Sequence, residues 1–102
     1  RANLYEANLY EADLYGVNLY GANLYRANLS GADGIMSFGP IGKEKRIGYA
    51  WLDKDNKVMF ILGCHNGNLK ETVAAIRSKY GPKSTYEAQV KLAAKIIEEG
   101  VK

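Results

Sequence analysis

Residues 1–33 read R-ANLYE-ANLYE-ADLYG-VNLYG-ANLYR-ANLSG-AD, which is one five-residue unit repeated along the chain. Counted from Ala2, each unit has Ala, or once Val17, in its first place and Asn or Asp in its second. Leu holds the third place in six consecutive units: Leu4, Leu9, Leu14, Leu19, Leu24 and Leu29. A fixed internal period indicates a repeat architecture, in which each unit buries its apolar side chain against its neighbours.

A period of five does not suit a regular helix or strand. Residues five apart on an α-helix are rotated by about 140° from one another, so the leucines would spiral around the surface. On a flat strand an odd period would place alternate leucines on opposite faces. The period therefore predicts a solenoid whose backbone turns a corner once per unit, with Leu and Ala inside. The Asn or Asp of each unit would brace the turn by hydrogen bonding to nearby backbone groups.

These units resemble the A(D/N)LXX pattern of the pentapeptide-repeat family, over about a third of the chain. The resemblance implies a right-handed, four-sided β-helix with one unit per side, so that Leu4 stacks on Leu24 and Tyr5 on Tyr25. It assigns the leucines to the centre and the first residue of each unit to a small inward position: Ala2, Ala7, Ala12, Val17, Ala22, Ala27 and Ala32. We predict a first domain over residues 1–34. Since Arg1 lies inside a unit, we expect this chain to be a fragment or processed form of a longer array. If the array is complete, its open edge at the N-terminus should pair with another chain.

The remaining residues, 35–102, predict a ββαα capping domain. The stretch 34–42 is rich in glycine and contains Pro40, so we expect it to turn. Alternating side chains predict a strand over 47–52, a polar loop over 53–56 and a returning strand over 57–63. Asn68 and Glu71 form a capping-box pattern at the start of a helix that ends before Gly81. Ser84 begins a second helix, with an inward stripe that we assign to Tyr86, Val90, Ala93 and Ile97, widened by Ala94 and Ile96.

The C-terminal segment looks like a domain that follows pentapeptide repeats in some bacteriophage proteins. The likeness lies in Phe38-Gly39-Pro40-Ile41-Gly42, in Arg46 and Tyr49, and in a later Gly63-Cys64 pair with Gly67 and Leu69. Asn68 stands where the pattern has Ser or Thr, and His65 stands where an aromatic residue is usual. This resemblance implies a phage or bacterial source and implies no particular activity.

The charge of the chain is unevenly distributed. The net charge is +3, but residues 1–33 contain two basic and four acidic residues, a net −2, and residues 34–102 carry +5. Some pentapeptide-repeat proteins resemble duplex DNA and inhibit topoisomerases, which requires a long acidic rod, so a short array at −2 disfavours that role. No apolar run reaches about 18 residues, so we expect no membrane span. The single cysteine suits a reducing compartment, and we expect a cytoplasmic protein.

Two groups of residues are candidates for binding. The tyrosines that follow five of the leucines should point outward, either as a contact surface or stacked on one another within the coil: Tyr5, Tyr10, Tyr15, Tyr20 and Tyr25. A basic and aromatic cluster could hold a nucleotide or nucleic acid, unless it is a solvated edge with Trp51 in the core: Lys43, Lys45, Arg46, Tyr49 and Trp51. His65 is also a candidate binding residue.

We find no catalytic or metal-binding constellation in the sequence. Cys64 and His65 are the only residues of their kinds, so neither a metal set nor a nucleophile with its base is complete. Asp53, Asp55 and Asn56 lack the later positions of a calcium loop. We therefore predict no enzyme, no cofactor and no metal. The prediction is a binding or assembly module that self-associates and presents its tyrosines to a protein partner, with nucleotide sequestration by a phage anti-defence protein as the alternative.

Overall fold

The chain folds into three layers in the computed structural model, which describes residues 3–42, 45–63 and 65–99. The repeat region forms the first layer, a four-stranded sheet the second and two helices the third. The three layers together extend over 36 × 29 × 22 Å. None of the described helices has the length and apolar character needed to cross a membrane.

Each repeat unit turns the backbone by the same hydrogen bonds. The carbonyl of the Leu accepts a bond from the N–H three residues later, as from Ala7 to Leu4 at 2.9 Å. The fifth residue of the unit has a positive φ, and this place is filled by Glu6, Glu11, Gly16, Gly21, Arg26 and Gly31. The Asn or Asp side chain accepts from the N–H two residues on, at 3.0 to 3.2 Å. The prediction that these side chains brace a turn in every unit is confirmed.

Successive stretches of the repeat region pair at a distance of twenty residues. Parallel bridges join Asn3 to Asn23, Asn8 to Asn28 and Asp13 to Asp33. These are isolated bridges, and no longer strand is formed among the described repeat residues. A repeat of four units and a turn in each unit fit a β-helix, the architecture that the pentapeptide pattern implies.

The interior of the repeat region is buried unequally. Leu19 and Leu24 are only 1% and 2% exposed, and Leu14 is also buried, whereas the other three leucines are half-buried. The assignment of Val17 to an inward position is wrong, because this side chain is 39% exposed. The residue twenty positions after Val17 is Ser37, which lies in the sheet and pairs with Tyr49. No repeat residue is therefore available at that spacing to cover Val17.

The second layer is an antiparallel sheet in the order β1-β2-β3-β4. Its strands are β1 (Ile35–Ile41), β2 (Arg46–Leu52), β3 (Val58–Leu62) and β4 (His65–Asn68). The predicted hairpin is confirmed as β2 and β3, with Asp53 holding its tip by accepting from the N–H groups of Asp55 and Lys57 at 2.9 Å.

The two outer strands correct the sequence prediction. Within the segment 34–42, which was expected to turn, Ile35–Ile41 forms β1, with Ile35, Phe38 and Ile41 buried. Gly39 and Pro40 are tolerated because β1 is an edge strand and its pairing with β2 shifts between Phe38 and Ile41, as at a bulge. β4 has the polar sequence HNGN and gives no strand signal; it forms because its backbone pairs with β3.

The sheet is covered on both faces, because successive side chains of a strand point to opposite sides. Ile35, Trp51 and Ile61 pack with the buried leucines of the repeat region. The alternate residues, among them Ala50 and Phe60 at 0% exposure, pack against the helices. The sheet therefore lies between the coil and the helical layer.

The helices are α1 (Leu69–Tyr80) and α2 (Thr85–Glu99). The predicted capping box is present, since Asn68 and Glu71 exchange side-chain-to-backbone bonds at 2.8 and 2.9 Å. Ser84 accepts from the N–H of Glu87 at 3.2 Å, but the Glu87 side chain bonds to Arg77 and Lys91.

The predicted buried stripe of α2 is confirmed with one exception. Tyr86, Val90, Ala93, Ala94 and Ile97 are buried against the sheet. The inclusion of Ile96 in that stripe is wrong, because this side chain is 49% exposed on the outer face of the helix.

Candidate ligand-binding cleft

A cleft of about 1280 Å³ lies between residues 20–30 of the repeat region and the sheet. One wall consists of the stretch from Tyr20 to Arg26 together with Ala27, Leu29 and Ser30, and the other contains residues of β1, β2 and β4. The structure brings six of the predicted site residues to this cleft: Tyr20, Tyr25, Lys45, Arg46, Tyr49 and His65.

The cleft has a positive lining. Arg26, Lys45 and Arg46 border it, and no carboxylate is found among its described lining residues. Arg26 contacts Glu6 at 3.8 Å between Nε and Oε2, but both side chains are more than half exposed, so this ion pair is weak. Arg46 lies over Gly63, where an added Cβ would collide with the guanidinium. The electrostatic character of the cleft therefore favours an anion.

The five tyrosines of the repeats are all exposed, but they do not form one surface. Tyr5 and Tyr25 stack with ring centroids 5.9 Å apart and an angle of 15° between the planes. Twenty residues after Tyr10 the chain has Ser30 and not an aromatic residue. Tyr20 and Tyr25, at 51% and 65% exposure, are the two that border the cleft.

Two hydrogen bonds hold the coil against the sheet beside the cleft. The Tyr49 hydroxyl donates to the carbonyl of Leu24 at 3.2 Å, and burial raises the pKa of this phenol. Asn66 in β4 accepts from the N–H of Gly21 through its side-chain oxygen at 2.8 Å. Tyr49 thus fixes the position of the cleft wall as well as bordering the cleft.

Trp51 does not join the basic cluster. It is 3% exposed and packs in the core that the repeat region shares with the sheet. Its Nε1 has no hydrogen-bond acceptor among the described residues. The structure therefore follows the alternative in which Trp51 is a core residue, because odd-numbered residues of β2 point toward the coil.

The remaining sequence candidates are placed as follows. Lys43 and Cys64 lie outside the described residues. The His65 ring borders the cleft and has its Nε2 atom 3.0 Å from Oγ1 of Thr72. Within the described ranges, no group of three His, Cys, Asp or Glu side chains could hold a metal ion.

Sequence reasoning missed Arg26, Gly63 and Asn66 as parts of this site. A weak signal existed for Arg26, because a basic residue replaces the usual Gly or Glu in the fifth place of a unit directly after Tyr25. Asn66 belongs to β4, whose polar sequence reads as a turn, so nothing in the local pattern placed it against the coil.

Comparison with known proteins bears on the first third of the chain. The family model described as "Pentapeptide repeats (8 copies)" matches residues 1–33. No curated protein and no solved structure matches the chain. Residues 1–33 are therefore pentapeptide repeats, and the resemblance of residues 35–102 to a phage domain stays a prediction.

Proposed function

We propose that this chain is a non-catalytic binding module whose cleft holds a nucleotide ligand with more than one base. The observation that carries the proposal is the composition of the cleft, with Arg26, Lys45 and Arg46 on its walls, two exposed tyrosines at its border and no carboxylate among the described lining residues.

The cations would bind the phosphate groups of the ligand. An arginine guanidinium offers a planar set of donors that matches phosphate oxygens, and charge-assisted bonds of this kind are the stronger class of hydrogen bond. Arg26 stands on the coil, whereas Arg46 stands on β2, so a ligand with phosphates at two places could contact both walls.

The tyrosines would bind the bases. Aromatic side chains stack on nucleobases with a gain of about 1 to 3 kcal/mol per base. The backbone that carries Tyr20 and Tyr25 is fixed by a hydrogen-bonded turn in each unit, so binding would require no further ordering of the backbone there. At about 1280 Å³ the cleft exceeds the range of about 300 to 1,000 Å³ typical of small-ligand sites, which favours a ligand larger than a mononucleotide.

Binding without chemistry is the role of a sequestering protein. A phage protein that captures a nucleotide immune signal would need such a cleft. We propose this capture as the biological role of the chain. The DNA-mimic alternative is not supported, since the cleft is basic and the repeat region carries a net charge of only −2.

Isothermal titration calorimetry of the full chain tests the proposal, with cyclic di-AMP as the probe because it has two bases and two phosphates. We expect saturable heat that weakens with added salt, since exposed charges are screened. Adenosine lacks the charge and pyrophosphate lacks the rings, so each should bind more weakly than the complete probe.

Two variants locate the binding, and one serves as a matched control. Tyr25→Ala should lose about 1 to 3 kcal/mol of binding free energy through the lost stacking. Arg26→Gln should weaken binding and reduce its dependence on salt. Tyr10→Ala changes the same place in another unit, exposed but away from the cleft, and should bind as the original chain does. No heat with cyclic dinucleotides of any base composition would refute the proposal, as would an equal loss in Tyr10→Ala.

We also propose that residues 3–33 wind as a right-handed, four-sided coil and that the chain self-associates, presenting its outward tyrosines to a protein partner. The exposure of all five repeat tyrosines supports this proposal. A monomer mass by light scattering at high concentration would contradict the self-association, and an experimental structure with another winding would contradict the coil.

A further inference from the structure

A second cavity, of about 330 Å³, lies on the other side of the sheet from the repeat region. It is lined by Leu62 of β3, by Ile76 and Tyr80 of α1 and by Tyr86 of α2, and it is open to solvent on one side. This volume is at the lower end of the range of about 300 to 1,000 Å³ seen for small-molecule sites. The cavity would hold a ligand of about one ring.

The walls of this cavity are apolar and fixed by packing. Ile76 and Leu62 are buried at 3% and 8% exposure within the core between sheet and helices. The rings of Tyr80 and Tyr86 stack at 4.3 Å between centroids, with 8° between their planes. Two aromatic and two aliphatic side chains at this cavity favour a ligand with an apolar, ring-sized body.

The polar groups at the cavity are cationic or neutral. Arg46 and Lys79 border it, and the described lining residues include no carboxylate. The Nζ atom of Lys79 lies 5.2 Å from the centroid of the Tyr80 ring. This cation–π contact keeps the Lys79 ammonium group beside the ring. His65 and Thr72, which contact each other at 3.0 Å, complete the polar side. This arrangement favours one negative charge on the ligand.

We propose that this cavity is a second binding site, specific for a small monocarboxylate with an apolar body such as an aromatic acid. The ring would lie against Tyr80 and Tyr86, and the carboxylate would face Arg46 and Lys79. This site differs from the proposed nucleotide cleft, although Arg46 and His65 border both. Lys79 borders only the cavity and Arg26 borders only the cleft, so these two residues separate the sites experimentally.

An NMR titration of the ¹⁵N-labelled full chain with benzoate tests this proposal. We expect saturable shifts centred on the amides of Ala75, Ile76 and Tyr80. Benzyl alcohol has the same ring without the charge and should bind measurably more weakly. Lys79→Gln should weaken benzoate by about twofold to fivefold, the range for a partly exposed charge pair. Lys79 is exposed, so this variant should fold normally.

Arg26→Gln is the matched control, because it removes a cation from the cleft alone and should leave the benzoate titration unchanged. The proposal is overturned if benzoate causes no saturable shift, if its shifts cluster at the cleft, or if Lys79→Gln and the original chain bind it equally. Failure of cyclic dinucleotides of every base composition to bind would refute the cleft proposal and would not alter the benzoate result, so the two failures are distinguishable.

Discussion

The repeat region and the sheet-and-helix region differ in the range of the interactions that define them. Within the repeats, each turn is made by hydrogen bonds between residues two or three apart, and the same bonds recur every five residues. In the sheet and helices, the core joins residues far apart in the chain, such as Phe38, Phe60 and Val90. In the repeat region, hydrogen bonds between residues close in the chain specify the backbone path. In the sheet and helices, the burial of apolar side chains specifies it.

The two regions nevertheless share one core. The best-buried leucines, Leu19 and Leu24, belong to the cluster that includes Trp51 and Ile61 of the sheet. Solenoids depend on neighbouring coils and on caps to bury their leucines. The sheet supplies part of that burial for Leu19 and Leu24.

Among the predicted changes, replacing Trp51 should have the largest effect on stability, because Trp51 packs between the repeats and the sheet. Trp51→Ala should lower the free energy of unfolding by about 3 to 5 kcal/mol, because it opens a cavity between coil and sheet. Urea denaturation followed by circular dichroism would measure the loss, since the single tryptophan no longer reports by fluorescence. Tyr10→Ala, an exposed position of the repeats, should change stability by no more than about 0.5 kcal/mol. A loss below about 1 kcal/mol for Trp51→Ala would show that the repeats do not depend on the sheet.

A smaller effect is expected from the turns of the coil. Gly16 has φ of 74°, and an added Cβ would meet nothing closer than 3.9 Å, so Gly16→Ala isolates the cost of a positive φ. We expect a loss of about 1 to 2 kcal/mol from this strain. Glu11 occupies the same place in its unit with φ of 57°, so Glu11→Gly should be neutral or stabilising. Urea denaturation of both variants measures these effects. A Gly16→Ala variant as stable as the original chain would contradict the predicted cost of the positive φ.

The sequence was most informative where the pattern is local. The turn in each unit, the helix cap at Asn68 and the central hairpin all depend on residues that are close in the chain, and each was predicted. The outer strands were missed because β1 contains Gly39 and Pro40, and because β4 is polar throughout. Edge strands form by pairing with a neighbour, and a pairing partner cannot be read from the strand's own composition.

The smallest effect is expected from pH. Hydrogen bonds from Arg77 and then from Lys91, at 2.7 to 2.9 Å, lower the pKa of Glu87 from 4.5 to about 2. Because this pKa is depressed in the folded chain, the associated stability is present above about pH 4.5 and is lost as the pH falls toward about 2.

The measurement compares the original chain with Glu87→Gln by urea denaturation across that pH range. The difference in unfolding free energy should shrink as the pH falls from about 4.5 to about 2. Glu98→Gln, an exposed carboxylate on the same helix, is the matched control. A difference that stays constant with pH would show that Glu87 contributes only through packing, and that the helical layer owes nothing to this local ion pair.

The candidate cleft was predicted only in part, for a related reason. Lys45, Arg46 and Tyr49 are neighbours in the sequence and were recognised as a basic and aromatic group. The contribution of Tyr20, Tyr25 and Arg26 depends on which side of the coil meets the sheet, and that follows from Tyr49 and Asn66 bonding to the coil. Trp51 was included in the predicted basic and aromatic group because it alternates with its neighbours on β2. Alternation shows which residues share a face of a strand, but it does not show what covers that face.

The twenty-residue pairing gives the coil an angular register that depends on chain length alone. Removing one unit, for instance residues 12–16, would place Tyr5 twenty positions before Ser30 instead of Tyr25. If the repeats wind as the four-sided coil proposed above, all preceding residues would then shift by one side. Removing or inserting four units would restore the original phase. Changes in array length could therefore redirect upstream side chains around the axis while Tyr20, Tyr25 and Arg26 keep their places beside the sheet.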